Sequence, residues 1–313
     1  MFTHLNTVSY YSFRYGVASP TALAHKAAEY AMPGIALVDR DGVSGAVEFF
    51  QACSAYGIKA HIGVNLEMSN HQHTSRFIAL ARNSQGFKAL NRLVTAHHEV
   101  GITFDVLETI SNLLSVDTGL VILLGPESQL AQCVFQGRYN SAEQVLESWQ
   151  KTGFDIRPEI VSHRAEYRVA KQSSMHSTYF ARQYFEWGID HSLKAVLSNA
   201  VRYLETAGAR TADVLDATRN LTTLSKNNHS IHNQEACLYD EKHMEKLAYE
   251  IVGDKDKAEK LLYETCQLAD SLEVTHDTLG IGKIFLPELS VITNPRAHQI
   301  STRWDCPPMK PLS

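Results

Sequence analysis

Short apolar runs alternate with helix-like segments over residues 2–98, and this alternation constrains the fold more than any other feature of the chain. Phe2 to Val8 reads as an extended run. Ser19-Pro20 then supplies an N-cap and a proline at the first helical position, and TALAHKAAEYAM follows up to the Pro33-Gly34 break. Ile35-Ala36-Leu37-Val38 is a buried-strand run ending at Asp39, and Val43 to Tyr56 carries apolar residues at helical spacing before Gly57. Ile58 to Leu66 and Phe77 to Ala81 are further strands, and Ser84 to His98 a further helix. Strands and helices joined by short connections predict right-handed βαβ units and a parallel sheet.

The pattern continues with strands at Val121 to Leu124, Ile160-Val161 and Ala195 to Leu197. Helices are expected at Ser128 to Phe135, Ser141 to Lys151 and Ser174 to Trp187. An α/β architecture with this many units predicts a closed or nearly closed βα barrel, whose working residues sit at the C-terminal strand ends. Beyond about residue 205 the character changes. Leu221 to Ala236 is polar and loop-like, Asp240 to Ile251 and Asp254 to Leu272 are amphipathic helices, and 294–313 lacks periodicity and reads as a disordered tail.

Composition narrows the function classes. At 313 residues with 44% hydrophobic and 20% charged positions, the chain can bury a core without disulfides. The formal charge of −5 provides no global basic field, so any nucleic-acid contact needs a local patch or a partner. The 5 cysteines are scattered with no C-x-x-C pair, which argues against a disulfide framework or a cysteine zinc site and fits reduced thiols in a cytoplasm. No signal-peptide pattern and no membrane-length apolar run is present. Walker A, G-x-G-x-x-G and G-x-S-x-G patterns are also absent.

Four ordered blocks carry a family resemblance. They are the segment from Phe2 to Met68, LARNSQGFKALNRLVTAHH (80–98), AVLSNAVRYL (195–204) and FLPELSVI (285–292). Together they resemble the N-terminal PHP (polymerase and histidinol phosphatase) domain of bacterial DNA polymerase III alpha subunits. Arg40-Asp41-Gly42 after Asp39 is most similar to the actinobacterial and error-prone forms. The resemblance implies a PHP-type distorted (βα)7 barrel followed by C-terminal helices. Residues 1–272 would be the PHP domain, with the barrel ending at about 205, and 273–293 the start of the junction to the polymerase palm. It further implies a chain that stops before the palm and has no polymerase activity of its own. DNA would then be met only through the missing polymerase part, in replication or translesion synthesis. Holoenzyme components or a proofreading exonuclease are the implied partners, with no membrane contact and a cytoplasmic location.

A working PHP domain gathers imidazole and carboxylate groups at its strand ends to hold divalent cations, which polarise phosphate and generate hydroxide. Aligned through Ser9 and Ser12, the family's first two ligand positions are Asn6 and Val8 here, and His4 falls two residues too early. The family's Asp-His is Asp39-Arg40, its third-strand glutamate is Asn65 with Glu67 two residues on, and its late Asp-x-His is Ala200-Val201-Arg202. Only Asp39 keeps a ligand. Valine and alanine cannot bind metal, and arginine cannot do so at accessible pH. His71-x-His73, His229 and His232 read as solvated loop residues, and His97-His98, adjacent on a helix, are not expected to face one site. The expectation is therefore a scaffold with no catalytic residues, no metal and no cofactor. The alternative is a stand-alone PHP-family phosphoesterase or 3′–5′ exonuclease. A lone carboxylate at a strand end would need a counter-charge, and Arg40 and Arg202 are the expected suppliers for Asp39.

Overall fold

The computed structural model describes residues 1–70, 73–113, 119–165, 174–224 and 233–281. Residues 1–279 form one compact unit, and of the second, 280–313, only Gly280 and Ile281 are described. The 285–292 junction phrase, the 294–313 tail, His71, His229 and His232 lie outside the described residues.

Six strands form one curled sheet in sequence order: β1 (Gly34–Leu37), β2 (Lys59–Asn70), β3 (His73–Ala81), β4 (Leu120–Leu124), β5 (Asp155–Ile160) and β6 (Val196–Leu197). The helices are α1 (Pro20–Glu29), α2 (Ala46–Ala55), α3 (Ser84–Glu99), α4 (Phe104–Leu113), α5 (Gln129–Phe135), α6 (Tyr139–Lys151), α7 (Thr178–Asp190), α8 (Ala209–Arg219), α9 (Glu241–Val252), α10 (Lys255–Ser271) and the short α11 (His276–Leu279). Local chemistry explains many of their starts. Ser19, Asn83, Ser128, Ser177, Asp240 and Asp254 each accept a backbone N–H in the first turn of the helix that follows. Gly253 ends α9 in the left-handed region at φ 72°.

The all-parallel expectation fails at one strand. β1–β2, β4–β5 and β5–β6 pair in parallel, whereas β3 is antiparallel to both neighbours, with Gly63 opposite Leu80 and Ile78 opposite Leu123. The cause is the connection: Asn70 pairs with His73, and so short a link admits no crossover helix, only an antiparallel return.

The N-terminal extended run acts as a further strand. Ala36 N donates to His4 O (2.9 Å) and Val38 N to Thr7 O (2.8 Å). On its other side Val201 N donates to Asn6 O (2.9 Å) and Val8 N to Val201 O (3.1 Å). Residues 4–8 thus stitch the β1 edge to the segment after β6. The period-2 alternation of the strands sorts the core into two parts. Leu5, Val8, Ala36, Val38, Ile78, Leu80, Val121, Leu123 and Val196 cluster inside the curl, with Leu268, Ala269 and Leu272 at the end of α10 packed on them. The alternate residues, among them Ile35, Leu37, Phe77, Ile122 and Ile156, pack with the helices.

Two histidines are buried in this framework. His4 Nε2 lies 2.9 Å from Tyr239 O, and among the described residues neither His4 Nδ1 nor His61 Nδ1 has a hydrogen-bond partner. Burial lowers both pKa values to about 4, against weak opposition from backbone hydrogen bonds. A folded-state pKa below the unfolded value means that the unfolded chain takes up protons first as pH falls. Stability is therefore complete above about pH 6.5 and declines toward about pH 4, by roughly 3 kcal/mol per histidine. Urea unfolding at pH 7 and pH 4.5 should show this loss, and a His61→Leu chain should lose clearly less across the same interval.

Candidate functional site at the strand ends

The end of the sheet where β1, β5 and β6 finish holds a dense set of polar side chains. Asp39, two residues past β1, is 2% exposed. Its carboxylate accepts from Ser9 N (2.7 Å), Ser9 Oγ (2.8 Å) and Ser12 Oγ (2.7 Å), and Ser12 Oγ in turn accepts from Arg40 N (2.9 Å). Burial pushes the Asp39 pKa up, and the serine hydrogen bonds pull against that rise. The expected guanidinium partner is not there: neither Arg40 nor Arg202 bonds Asp39. Donors on the loop at Ser9 and Ser12 satisfy the carboxylate at close range, so no ion pair is required. The loop that supplies them is tightly folded. A Cβ on Gly16 would stand 2.0 Å from Ser9 O, and one on Gly45 would stand 2.9 Å from the Tyr11 ring and 3.0 Å from Asp39 Oδ2.

The arginines serve other carboxylates. Arg40 Nη2 reaches both oxygens of Glu127 at 2.8 Å. Arg202, 4% exposed, makes a two-pronged pair with Asp216 at 2.9 Å for each bond, and Arg219 adds a third contact at 2.8 Å. Tyr15 lies among these cations. The Arg40 Cζ stands 3.4 Å from its ring centroid, Arg202 3.9 Å and Arg219 5.2 Å. Burial raises the Glu127 pKa, but Arg40 and Arg76 outweigh it and hold the group below its ordinary value.

The remaining marked positions are spread around the same end. Asn6 Nδ2 donates to Glu159 Oε1 (2.7 Å). Val8 lies in the inner apolar cluster. Asn65 Oδ1 accepts from Arg76 Nε (2.8 Å), whose guanidinium also binds Asp41 (2.6 Å) and Glu67 (3.4 Å). Ala200 takes a left-handed φ of 43°. The structure therefore brings Asn6, Asp39, Arg40, Asn65 and Arg202 to one end, but through separate partners rather than around a common point.

Sequence reading missed three residues. Glu159 on β5 is 3% exposed and, among the described residues, bonds Asn6 and Ser198 alone. Burial raises its pKa, against the hydrogen bonds from Ser198 and Asn6. Gly125 makes room for it, since a Cβ there would fall 2.1 Å from Glu159 Oε2. Arg76 and Glu127 are the other two. Their signal was available as charged residues adjoining apolar strands. The expectation for His97 and His98 is also corrected: in the last turn of α3 both reach Asp41, His97 Nε2 at 3.4 Å from Oδ1 and His98 Nε2 at 2.8 Å from the carbonyl oxygen.

These residues do not fit a divalent-metal centre. Among the described residues no three His, Cys, Asp or Glu side chains group as metal ligands do. The carboxylates at this end are held by hydroxyl groups, an amide or guanidinium groups, which occupy the lone pairs a cation would need.

The curled α/β sheet with a polar strand-end cluster is of PHP type. Residues 4–155 match the PHP domain family, and the chain carries a PHP domain there. The DNA polymerase III subunit alpha of Buchnera aphidicola subsp. Acyrthosiphon pisum is 29% identical over 157 residues, covering 48% of this chain and 13% of that protein. An error-prone DNA polymerase from Corynebacterium diphtheriae is 35% identical over 94 residues, covering 30% and 9%. The chain thus spans roughly a tenth of the length of these relatives. The structure of an amidohydrolase from Chromobacterium violaceum superposes loosely, with a TM-score of 0.44 at 15% identity over 64% of this chain and 88% of that one. Among the described residues no helix is long and apolar enough to cross a membrane.

The site makes a sharp stability prediction. Asp39→Ala leaves the buried Ser9 N–H and two hydroxyl groups without their acceptor, at a cost of roughly 3 kcal/mol. Ser12→Ala should cost about 1 kcal/mol. Because the partners of Asp39 are uncharged, the Asp39→Ala loss in urea unfolding should stay the same between low and high salt. An ion pair with an arginine would show a loss that shrinks with salt.

Proposed function

We propose that this chain is a PHP module of the DNA polymerase III alpha type that holds no metal, hydrolyses no phosphoester and works as a scaffold in a replication or translesion assembly. The observation that supports it best is the placement of Arg40 and Arg202. Both guanidinium groups lie against Tyr15 and are paired with Glu127 and Asp216. On this reading Asn6, Val8, Arg40, Asn65, Ala200 and Arg202 are substituted ligand positions and Asp39 a remnant. A permanently charged guanidinium both removes a ligand and repels an incoming cation.

The same reading extends the PHP domain past the matched residues to about residue 272, through α9 and α10, which pack on the sheet core. DNA is met through polymerase parts beyond this module, and the contacts are with holoenzyme components or a proofreading exonuclease. Two named polymerase relatives support that context.

Metal content and hydrolysis test the proposal together. The purified chain, exposed to Zn²⁺ and Mn²⁺ and then desalted, should retain only sub-stoichiometric metal. It should release no phosphate from p-nitrophenyl phosphate and shorten no 3′-labelled single-stranded oligonucleotide, and EDTA should leave its melting temperature unchanged. Stoichiometric metal with metal-dependent hydrolysis that disappears in Asp39→Ala would overturn it.

A further inference from the structure

The loop from Ser9 to Gly16 is held far more firmly than an idle surface turn requires. Its root is fixed by the three bonds to the buried Asp39 and by the close approach of Gly16 to Ser9. Its last side chain, Tyr15, is clasped among guanidinium groups. Arg14, at its tip, is held at φ 56°. A left-handed non-glycine residue is strained and persists only where its surroundings impose it.

What this anchored loop presents is apolar and cationic. Phe13 is 78% exposed, and Tyr10 and Tyr11 are 47% and 41% exposed. The Arg14 guanidinium lies 5.0 Å over the Phe13 ring. Whereas Arg40, Arg76, Arg164 and Arg202 each face a carboxylate, Arg14 makes no ion pair among the described residues. Both tyrosine hydroxyls donate to Glu48, at 3.4 Å and 3.2 Å, so their rings are also fixed.

We infer that the Tyr10–Arg14 tip is a preformed docking surface for a protein partner, one that offers an apolar pocket for Phe13 with a carboxylate at its rim for Arg14. The inference rests on the scaffold reading and names the surface through which the scaffold would act. Rigid aromatic rings beside an arginine are the side chains that dominate protein interfaces, and a loop already ordered loses little entropy on binding. A nucleic-acid strand is the less suitable occupant. It needs a run of unpaired cations along its backbone, and here the tip carries Arg14 alone, while the Tyr10 and Tyr11 hydroxyls turn to the Glu48 carboxylate.

The test is to pan a displayed random-peptide library on the whole chain, after depletion on a chain carrying Phe13→Ala and Arg14→Ala. Both side chains are exposed, so these variants should melt with the parent. The expected enriched peptides pair an aromatic or aliphatic residue with Asp or Glu. They should bind the parent at least about ten-fold more tightly than Phe13→Ala or Arg14→Glu, a difference of roughly 1.4 kcal/mol. No enrichment, basic consensus sequences, or equal binding to parent and variants would overturn the inference. So would binding of a fluorescein-labelled oligothymidylate that Phe13→Ala abolishes, which would assign the surface to nucleic acid. Metal content and hydrolysis do not enter these readings, so failure here is distinct from failure of the metal-free proposal.

Discussion

The carboxylate of Asp39 organises the end of the sheet on which the site is built. Its three short bonds to Ser9 and Ser12 tie the N-terminal run to the end of β1. That run is the only described backbone that joins β1 to the segment after β6. A buried charge is tolerable only when its hydrogen-bonding capacity is met. Here a backbone amide and two hydroxyl groups meet it without the desolvation of a second charge. The result is an anchor that costs less than a buried ion pair and is indifferent to ionic strength.

The same end shows how carboxylates can share a small volume without a metal. Arg40 neutralises Glu127, Arg76 neutralises Asp41 and Glu67, and Arg202 with Arg219 neutralises Asp216. A planar guanidinium carries its charge on a surface that can stack, so Tyr15 can accept Arg40 and Arg202 together. All of these pairs except Arg219–Asp216, which lies within α8, link two different segments. Arg40 joins the end of β1 to the loop before α5, and Arg202 joins the segment after β6 to α8. Side-chain pairs therefore cross-link the strand ends, the task that a polydentate cation would otherwise perform.

Much of the fold was legible because its periodicity was clean. The strand at Ile35 to Val38, the helix cap at Ser19, the helix starts at Ser128, Asp240 and Asp254, and the alternation of elements all follow from local rules. β5 was read only at its end, as Ile160-Val161. The reason is visible in DIRPEI: Asp155, Arg157 and Glu159 occupy one face, so hydropathy dips where the chain is in fact buried. α8 was missed for a related reason, since it mixes alanine with polar residues and presents a weak stripe, whereas α4 carries a clear one, with Leu107 and Ile110 buried, that the strand-and-helix reading passed over. The reversal of β3 could not come from strand-by-strand reading, because direction depends on the connection and not on the strand. At the site, Ser9 and Ser12 served as alignment markers while their role as donors to Asp39 went unread. The arginines were correctly marked as unusual and wrongly paired, because sequence adjacency says nothing about which carboxylate a long side chain will reach.

Glu159 shows where the balance of this end is least complete. It is as buried as Asp39, yet among the described residues it receives Asn6 and Ser198 and no guanidinium group. The negative field of nearby Glu127 also raises its pKa. Arg40 therefore has an effect beyond its own pair: by neutralising Glu127 it moderates the repulsion on Glu159 across the mouth. Removing the Arg40 charge would leave the Glu127 charge less opposed and push the Glu159 pKa further up. The side chain that occupies a marked ligand position is thus also the one that lets the remaining acids of the barrel mouth stay close together.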